Sequence, residues 1–177
     1  HDRPRERVMS EPMSESVSVL ISLLTSADRD TRIDAAERLC RAGEAAAMAA
    51  VPLVRACGDA DSEVKEQAVA ALEELGPPPT ESLESLVELA ANEDHLVAYW
   101  AITLLGRSGK AAANAASILA ERLGPSSDPA VAERAAWALG KIGPAAAMAV
   151  GALQAATTSS NPRLARLAQE AVSAIGE

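Results

Sequence analysis

A chain of 177 residues, 49% apolar and 23% charged, is long enough to bury one continuous core. Its formal net charge of −9 argues against non-specific nucleic-acid binding, which rests on phosphate neutralisation by Lys and Arg. No stretch approaches the length of a membrane span, and the opening His-Asp-Arg-Pro-Arg-Glu-Arg lacks the apolar segment of a signal peptide, so a cytoplasmic location is expected.

Along the chain, residues 1–12 read as a disordered lead or tag remnant. From Met13 onward the sequence repeats. Gly43, Gly76, Gly109, Gly143 and Gly176 stand at intervals of 33, 33, 34 and 33 residues. A fixed period of this length marks one helical unit copied in tandem. The units span 13–43, 44–76, 77–109, 110–143 and 144–176, in a single domain over 13–177.

Each unit reads as two helices. In the first, a helix around Leu20 carries Ser14, Glu15, Ser16, Ser18 and Ser22 on a polar side, which suits the outer cap of a stack. Asp28 then opens a helix that closes at Gly43. In the second unit, 46–57 contains Pro52, which should bend or break that helix by removing an amide. The partner helix, 61–76, is the clearest copy. Asp61 caps the free amides of its first turn, and Val64, Ala68, Leu72 and Leu75 form one apolar stripe. Gly76 follows, where a left-handed backbone is often needed.

The third unit begins after Gly76-Pro77-Pro78-Pro79, with helices over 80–92 and 94–109. The fourth has 111–123 and 128–143, and the fifth, entered through Gly143-Pro144, has 145–157 and 161–176. Asp94, Asp128 and Asn161 repeat the cap of Asp28 and Asp61. Leu164, Ala168, Val172 and Ile175 would leave an open apolar end, so self-association or continuation of the array is expected there. Alanine supplies 40 residues, Phe is absent, and Tyr99, Trp100 and Trp137 are the only aromatics, which favours close helix-to-helix approach. Cys40 and Cys57 read as two lone thiols, with a disulfide as the alternative.

The run Asp-x-x-Val-Lys-x-x-Ala-x-x-Ala-Leu-x-x-Leu-Gly at 61–76 and its copies resemble the HEAT repeat family, in the short form of phycobilisome lyase-type repeats. Asp128-Pro129-Ala130-Val131 and Ala138-Leu139-Gly140-Lys141-Ile142-Gly143 match that form best. The resemblance implies an all-α fold, a right-handed α-solenoid of five HEAT-like helical hairpins with about ten helices. It also implies that the Asp-to-Gly helices line a concave wall. Where such units stack Asp and Arg, this chain keeps Asp59 with Lys65, and Arg32, but has Ala98, Ala132 and Ala165 later on. An inter-repeat polar ladder is therefore not expected.

Alignment of the copies gives the rows of that wall. One row reads Asp34, Gln67, Trp100, Arg134, Leu167; the next Glu37, Ala70, Thr103, Trp137, Glu170; a third Ile33, Glu66, Tyr99, Glu133, Arg166. Read as outward-facing, they place Tyr99, Trp100, Thr103, Arg107, Arg134, Trp137, Lys141 and Arg166 at a C-terminal aromatic and basic anchor. Glu37, Glu66, Glu73 and Glu74, with Asp30, Asp34 and Glu63, form an N-terminal acidic lip. Charge follows the same division: residues 1–88 hold nine Lys/Arg against eighteen Asp/Glu, and residues 89–177 hold seven of each. Trp, Tyr and Arg most often dominate interface energy. A Trp on an Ala-rich helix can equally fill a gap between hairpins, and an acidic row can be a solvated face.

No catalytic residues are indicated. The histidines are His1 and His95, and His95 with Glu93 and Asp94 would not converge on a metal, so neither metal nor cofactor is expected. The leading expectation is a non-enzymatic scaffold that binds a protein or peptide segment on its concave face, without nucleic-acid or membrane partners. The resemblance supplies two alternatives, a bilin lyase or chromophore-binding chaperone and, more remotely, a HEAT-like DNA glycosylase.

Overall fold

The computed structural model describes residues 12–177, with side chains from Ser16 onward. The lead expected over residues 1–12 lies outside the described residues apart from Pro12, which opens the first helix. Among the described residues there are ten α-helical segments, four 3-10 segments and no strand.

The even-numbered helices are the Asp-to-Gly helices of the five repeats: α2 (Arg29–Ala42), α4 (Ser62–Glu74), α6 (His95–Arg107), α8 (Pro129–Ile142) and α10 (Pro162–Gly176). Each starts where the sequence places its cap. Asp28 accepts from the Thr31 amide, Asp61 from Glu63 and Val64, Asp94 from Leu96 and Val97, Asp128 from Ala130 and Val131, and Asn161 from Arg163 and Leu164. These bonds satisfy amides that a helix start leaves without partners. A further layer was not read from the sequence. Ser26, Asp59, Asn92 and Ser159 each accept from the amide of the capping residue two positions on.

Gly43, Gly76, Gly109 and Gly143 adopt positive φ of 55°, 74°, 57° and 73°, which only glycine takes without strain. The fifth copy, Gly176, is instead the last residue of α10.

The odd-numbered helices are short: α1 (Pro12–Leu23), α3 (Ala50–Ala56), α5 (Leu83–Leu89), α7 (Ala116–Arg122) and α9 (Val150–Ala156). A 3-10 stretch precedes α3, α7 and α9, with a bend at Ala46, Ala112 and Ala146. The bend expected from Pro52 is therefore misassigned. Pro52 lies in the first turn of α3, where its missing amide costs nothing, and the same bend recurs at Ala112 and Ala146, where Ile118 and Ala152 take the place of Pro52. Before α5, the Pro77–Pro79 run leaves only Thr80–Ser82 in 3-10 form.

The core runs the length of the stack. Val64, Ala68, Leu72 and Leu75 are buried as the stripe requires, and Leu39, Leu105 and Leu139 repeat Leu72 with no exposed surface. Helix α2 packs along α4, α6 along α8 and α8 along α10. The second junction differs. Here α6 meets α3 and stands off from α4, and Arg107 crosses the gap to donate to the carbonyls of Leu72 (2.7 Å) and Gly76 (3.3 Å). The Leu72 carbonyl, in the last turn of α4, also accepts from the Leu75 amide at 3.4 Å, and Gly76 lies just past the helix end.

One rung of the unexpected ladder exists. Arg32 forks onto Asp59 across the first junction, at 3.0 and 3.2 Å, and Arg29 bridges to Asp61 and Glu63 beside it. The row does not continue: Lys65 forms no ion pair with a described residue, Ala98, Ala132 and Ala165 follow, and later junctions use other contacts such as His95–Asp128 at 3.3 Å. The segment 129–156 is long and apolar enough by composition to cross a membrane, but Gly143 at φ 73° divides it into α8 and α9.

Candidate binding site on the even-helix wall

A helix inside a stack has three neighbours: its own short partner and the long helices before and after it. Its apolar stripe faces the first, and its flanks face the other two. The rows of Trp100 and Trp137 therefore turn into the seams between consecutive helices. Trp100 is 7% exposed and Thr103 4%, so their placement as outward-facing residues is corrected. Trp100, Thr103 and Arg107 share the flank of α6 from which Arg107 reaches α4, and the Thr103 hydroxyl donates to the Tyr99 carbonyl at 2.8 Å.

One helix later the same flank carries Arg134, Trp137 and Lys141. Trp137 is half-buried and packs on α6 at Gly106, where a Cβ would lie 2.2 Å from its Cζ3 atom. The Arg134 guanidinium carbon lies 4.7 Å from the ring centroids of both Tyr99 and Trp137, and its Nη2 donates to the Tyr99 hydroxyl. Arg107 sits 5.7 Å from the Trp100 ring, and Tyr99 meets Trp100 edge to face at 5.7 Å. Cation and ring thus alternate across α6 and α8, each guanidinium carbon lying over an aromatic ring as the ring quadrupole favours. Burial and the nearby charge of Arg134 hold Arg107 below the usual arginine range.

The structure therefore brings together five of the expected anchor residues: Tyr99, Trp100, Arg107, Arg134 and Trp137. Lys141 is exposed a turn beyond Trp137. Arg166 stands apart, exposed on α10 and paired with Glu170 at 2.9 Å. On the acidic side Glu66, Glu73 and Glu74 are exposed on α4 and form no ion pair with a described residue, whereas Glu37 faces Arg41 at 3.7 Å.

Two hollows open between α8 and α10 on either side of Trp137 and Leu167. One, about 160 Å³, is bounded by Tyr99, Arg134, Trp137, Arg163 and Leu167, with Glu133 at its rim. The other, about 320 Å³, includes Gly140, Lys141 and Glu170. Gly140 lets α10 approach, since a Cβ there would lie 3.3 Å from the Ala171 Cα. Gly106 and Arg163 were not singled out from the sequence, and Glu133 and Leu167 stood in the wall rows without being assigned to the anchor. Gly106 carried a usable signal: it is a glycine inside the last turn of a repeat helix, outside the period of the turn glycines, one helix before a tryptophan. Among the described residues no three His, Cys, Asp or Glu side chains gather as a metal site.

Hairpins stacked through a continuous core, with a wall of parallel long helices, define an all-α helical-repeat solenoid. A family model of HEAT repeats matches residues 17–106 and 50–125, together more than half of the chain. The chain belongs to the HEAT-repeat family. No curated protein matches it. Among solved structures it is similar to an engineered protein, at 27% identity over 90% of this chain and 78% of the other, with a TM-score of 0.64. It is similar in fold to a designed armadillo repeat protein in complex with the peptide (KR)4, at 20% identity, coverages of 92% and 82% and a TM-score of 0.64. A chain of the CpcE–CpcF complex of phycocyanin lyase from Nostoc sp. gives 23% identity, coverages of 99% and 69%, and the same score.

Proposed function

We propose that this protein is a non-catalytic scaffold whose even-helix wall, read as the concave face, binds a segment of a protein partner. One observation carries the reading. A single wall presents unpaired carboxylates on α4 and, farther along, an aromatic and guanidinium cluster on α6 and α8. Aromatic and Arg side chains that are already ordered lose little entropy on binding, and opposite charges at the two ends fix the register of a bound segment. Its basic residues would lie over Glu66, Glu73 and Glu74, and its apolar and acidic ones over Trp137 and Arg134. The designed neighbour that holds a basic peptide is an instance of this use on a similar fold.

A bilin-binding role has less support. Sites for small organic ligands run to about 300–1,000 Å³ with aromatic linings. The aromatic hollow at Arg134 is about 160 Å³, and two roomier hollows, about 500 and 560 Å³, are lined by helix ends and loops with no aromatic ring.

Selection of a random peptide display library on the intact protein tests the reading. Enriched sequences should pair a basic stretch with an apolar, acidic one, and the triple variant Glu66→Lys, Glu73→Lys, Glu74→Lys should lose the basic stretch. If no sequence is enriched, or the triple variant enriches the same ones, the reading fails.

A further inference from the structure

Arg134 is a cation packed against two aromatic rings, with part of its hydrogen-bonding edge unused. Its guanidinium carbon lies 4.7 Å from the ring centroids of both Tyr99 and Trp137, and Nη2 donates to the Tyr99 hydroxyl. The remaining nitrogens have no hydrogen-bond partner among the described residues, yet they are not sealed off; the one buried side-chain polar atom without a partner there is Arg122 Nε. No carboxylate of a described residue pairs with Arg134. Arg107, the next cation inward, spends its donors on main-chain carbonyls of Leu72 and Gly76 and adds like charge.

The hollow of about 160 Å³ beside Arg134 has one carboxylate in its lining, and that group is committed elsewhere. Glu133 Oε1 accepts from Asn161 Nδ2 at 2.9 Å, and Oε2 faces Arg163 Nε at 3.6 Å. A partly desolvated guanidinium without a counter-ion has more to gain from an anion than one on open surface, because the screening is weaker. Held between two rings, it is also oriented beforehand, so a carboxylate meets it at little ordering cost. The volume suits one side chain and is below the range for a small organic ligand.

We propose that the hollow between α8 and α10 takes the carboxylate of an Asp or Glu side chain from the bound partner segment. The edge of Arg134 receives the charge, and Trp137 and Leu167 receive the neighbouring apolar residue. Arg163 adds a second cation at the rim, while Glu133 opposes the incoming anion. The inference rests on the reading that this wall binds a protein segment, and it names the residue type read at one position.

The test uses two labelled eight-residue probes, alternating Glu and Leu or alternating Gln and Leu, titrated against the full chain by fluorescence anisotropy. The Glu probe should bind at least about tenfold more tightly, the factor that one charge-assisted hydrogen bond supplies. Arg134→Gln should erase that difference. Arg134→Lys, which keeps the charge but loses the planar fork, should recover only a small part of it. Glu133→Gln should tighten the Glu probe, and this variant keeps the test open should Arg134→Gln not fold. Equal binding of the two probes, or discrimination unchanged by either Arg134→Gln or Glu133→Gln, overturns the proposal. A third probe of alternating Lys and Arg separates the two levels. If it binds wild type and not the triple α4 variant while the Glu probe ignores Arg134, the wall still binds segments and the carboxylate pocket is wrong. If no probe binds, both fall.

Discussion

The six-membered ring of Trp137 on α8 occupies the place where Gly106 on α6 would carry a side chain. A Cβ at Gly106 would lie 2.2 Å from Cζ3 and 2.9 Å from Cε3 and Cη2. The indole is thus a knob in a notch cut by one missing methyl, and it fixes the register of the third and fourth repeats. Gly106→Ala gains about 1 kcal/mol of helix propensity but overpacks the seam at a cost of about 1–3 kcal/mol. A net loss of stability in urea titration is expected, together with a shifted tryptophan emission as the indole is displaced. Gly151→Ala is the control, because a Cβ there meets nothing within 4 Å.

Trp100 is buried on the flank of α6 from which Arg107 reaches α4, so it belongs to the fold more than to the binding face. Trp100→Ala should cost about 3–5 kcal/mol, the range for removing a large buried aromatic. Trp137→Ala, at a half-buried site, should cost less while weakening peptide capture more. Equal unfolding midpoints for the two variants would contradict the assignment.

Much of the molecule was legible because its signals are local. An Asp before a helix caps that helix wherever the helix goes, and a glycine at positive φ ends it; hence the helix starts and the all-α class were readable from the repeated pattern and its resemblance to HEAT units. What depends on the neighbouring repeat was not legible. The rows of Trp100 and Thr103 look outward from one helix taken singly, and become inward once a second helix is laid against their flank. The bend at Ala46 was misattributed to Pro52 because a proline is a conspicuous local cause, whereas the bend belongs to the repeat and recurs at Ala112 and Ala146. Of the candidate site, the residue types and their row were readable. The stacking of Arg134 between two rings was not, since it needs the spacing of α6 and α8.

The first junction offers a comparison of two ion pairs. Arg32 and Asp59 are 18% and 15% exposed, while Arg29 and Glu63 are each 49% exposed. Double-mutant cycles should return about 1.5–3 kcal/mol for the forked, half-buried pair. The exposed pair should return a clearly smaller coupling, because solvent screens it. Acid adds a second readout. The Arg29 hydrogen bond holds the Asp61 carboxyl below its ordinary 3.8, so the folded state favours the ionised form. Its stabilisation is present above pH 3.8 and is lost as pH falls through the lower folded value. The stability gap between wild type and Arg29→Gln should therefore close below that pH.

Cys40 and Cys57 are both free, but they differ in access. Burial pushes the Cys57 thiol up from 9.0 to about 12, with Asp94 adding to the effect. A thiolate is the reactive form, so iodoacetamide at pH 8 should label Cys40 and spare Cys57 in the folded protein. Because the folded value lies above the unfolded one, this contribution to stability is intact below pH 9 and declines as pH rises toward 12. Cys57→Ala should flatten that alkaline decline, measured by urea midpoints across the range.

Whether the even-helix wall is the binding face is decided most directly by amide chemical-shift mapping with a peptide enriched from the display library. Perturbations are predicted along one line, from Glu66 and Glu73 on α4 through Tyr99 to Arg134, Trp137 and Lys141, and on to Arg163 and Leu167. Perturbations confined to the opposite side, at α3, α5, α7 and α9 and their 3-10 stretches, would contradict the account.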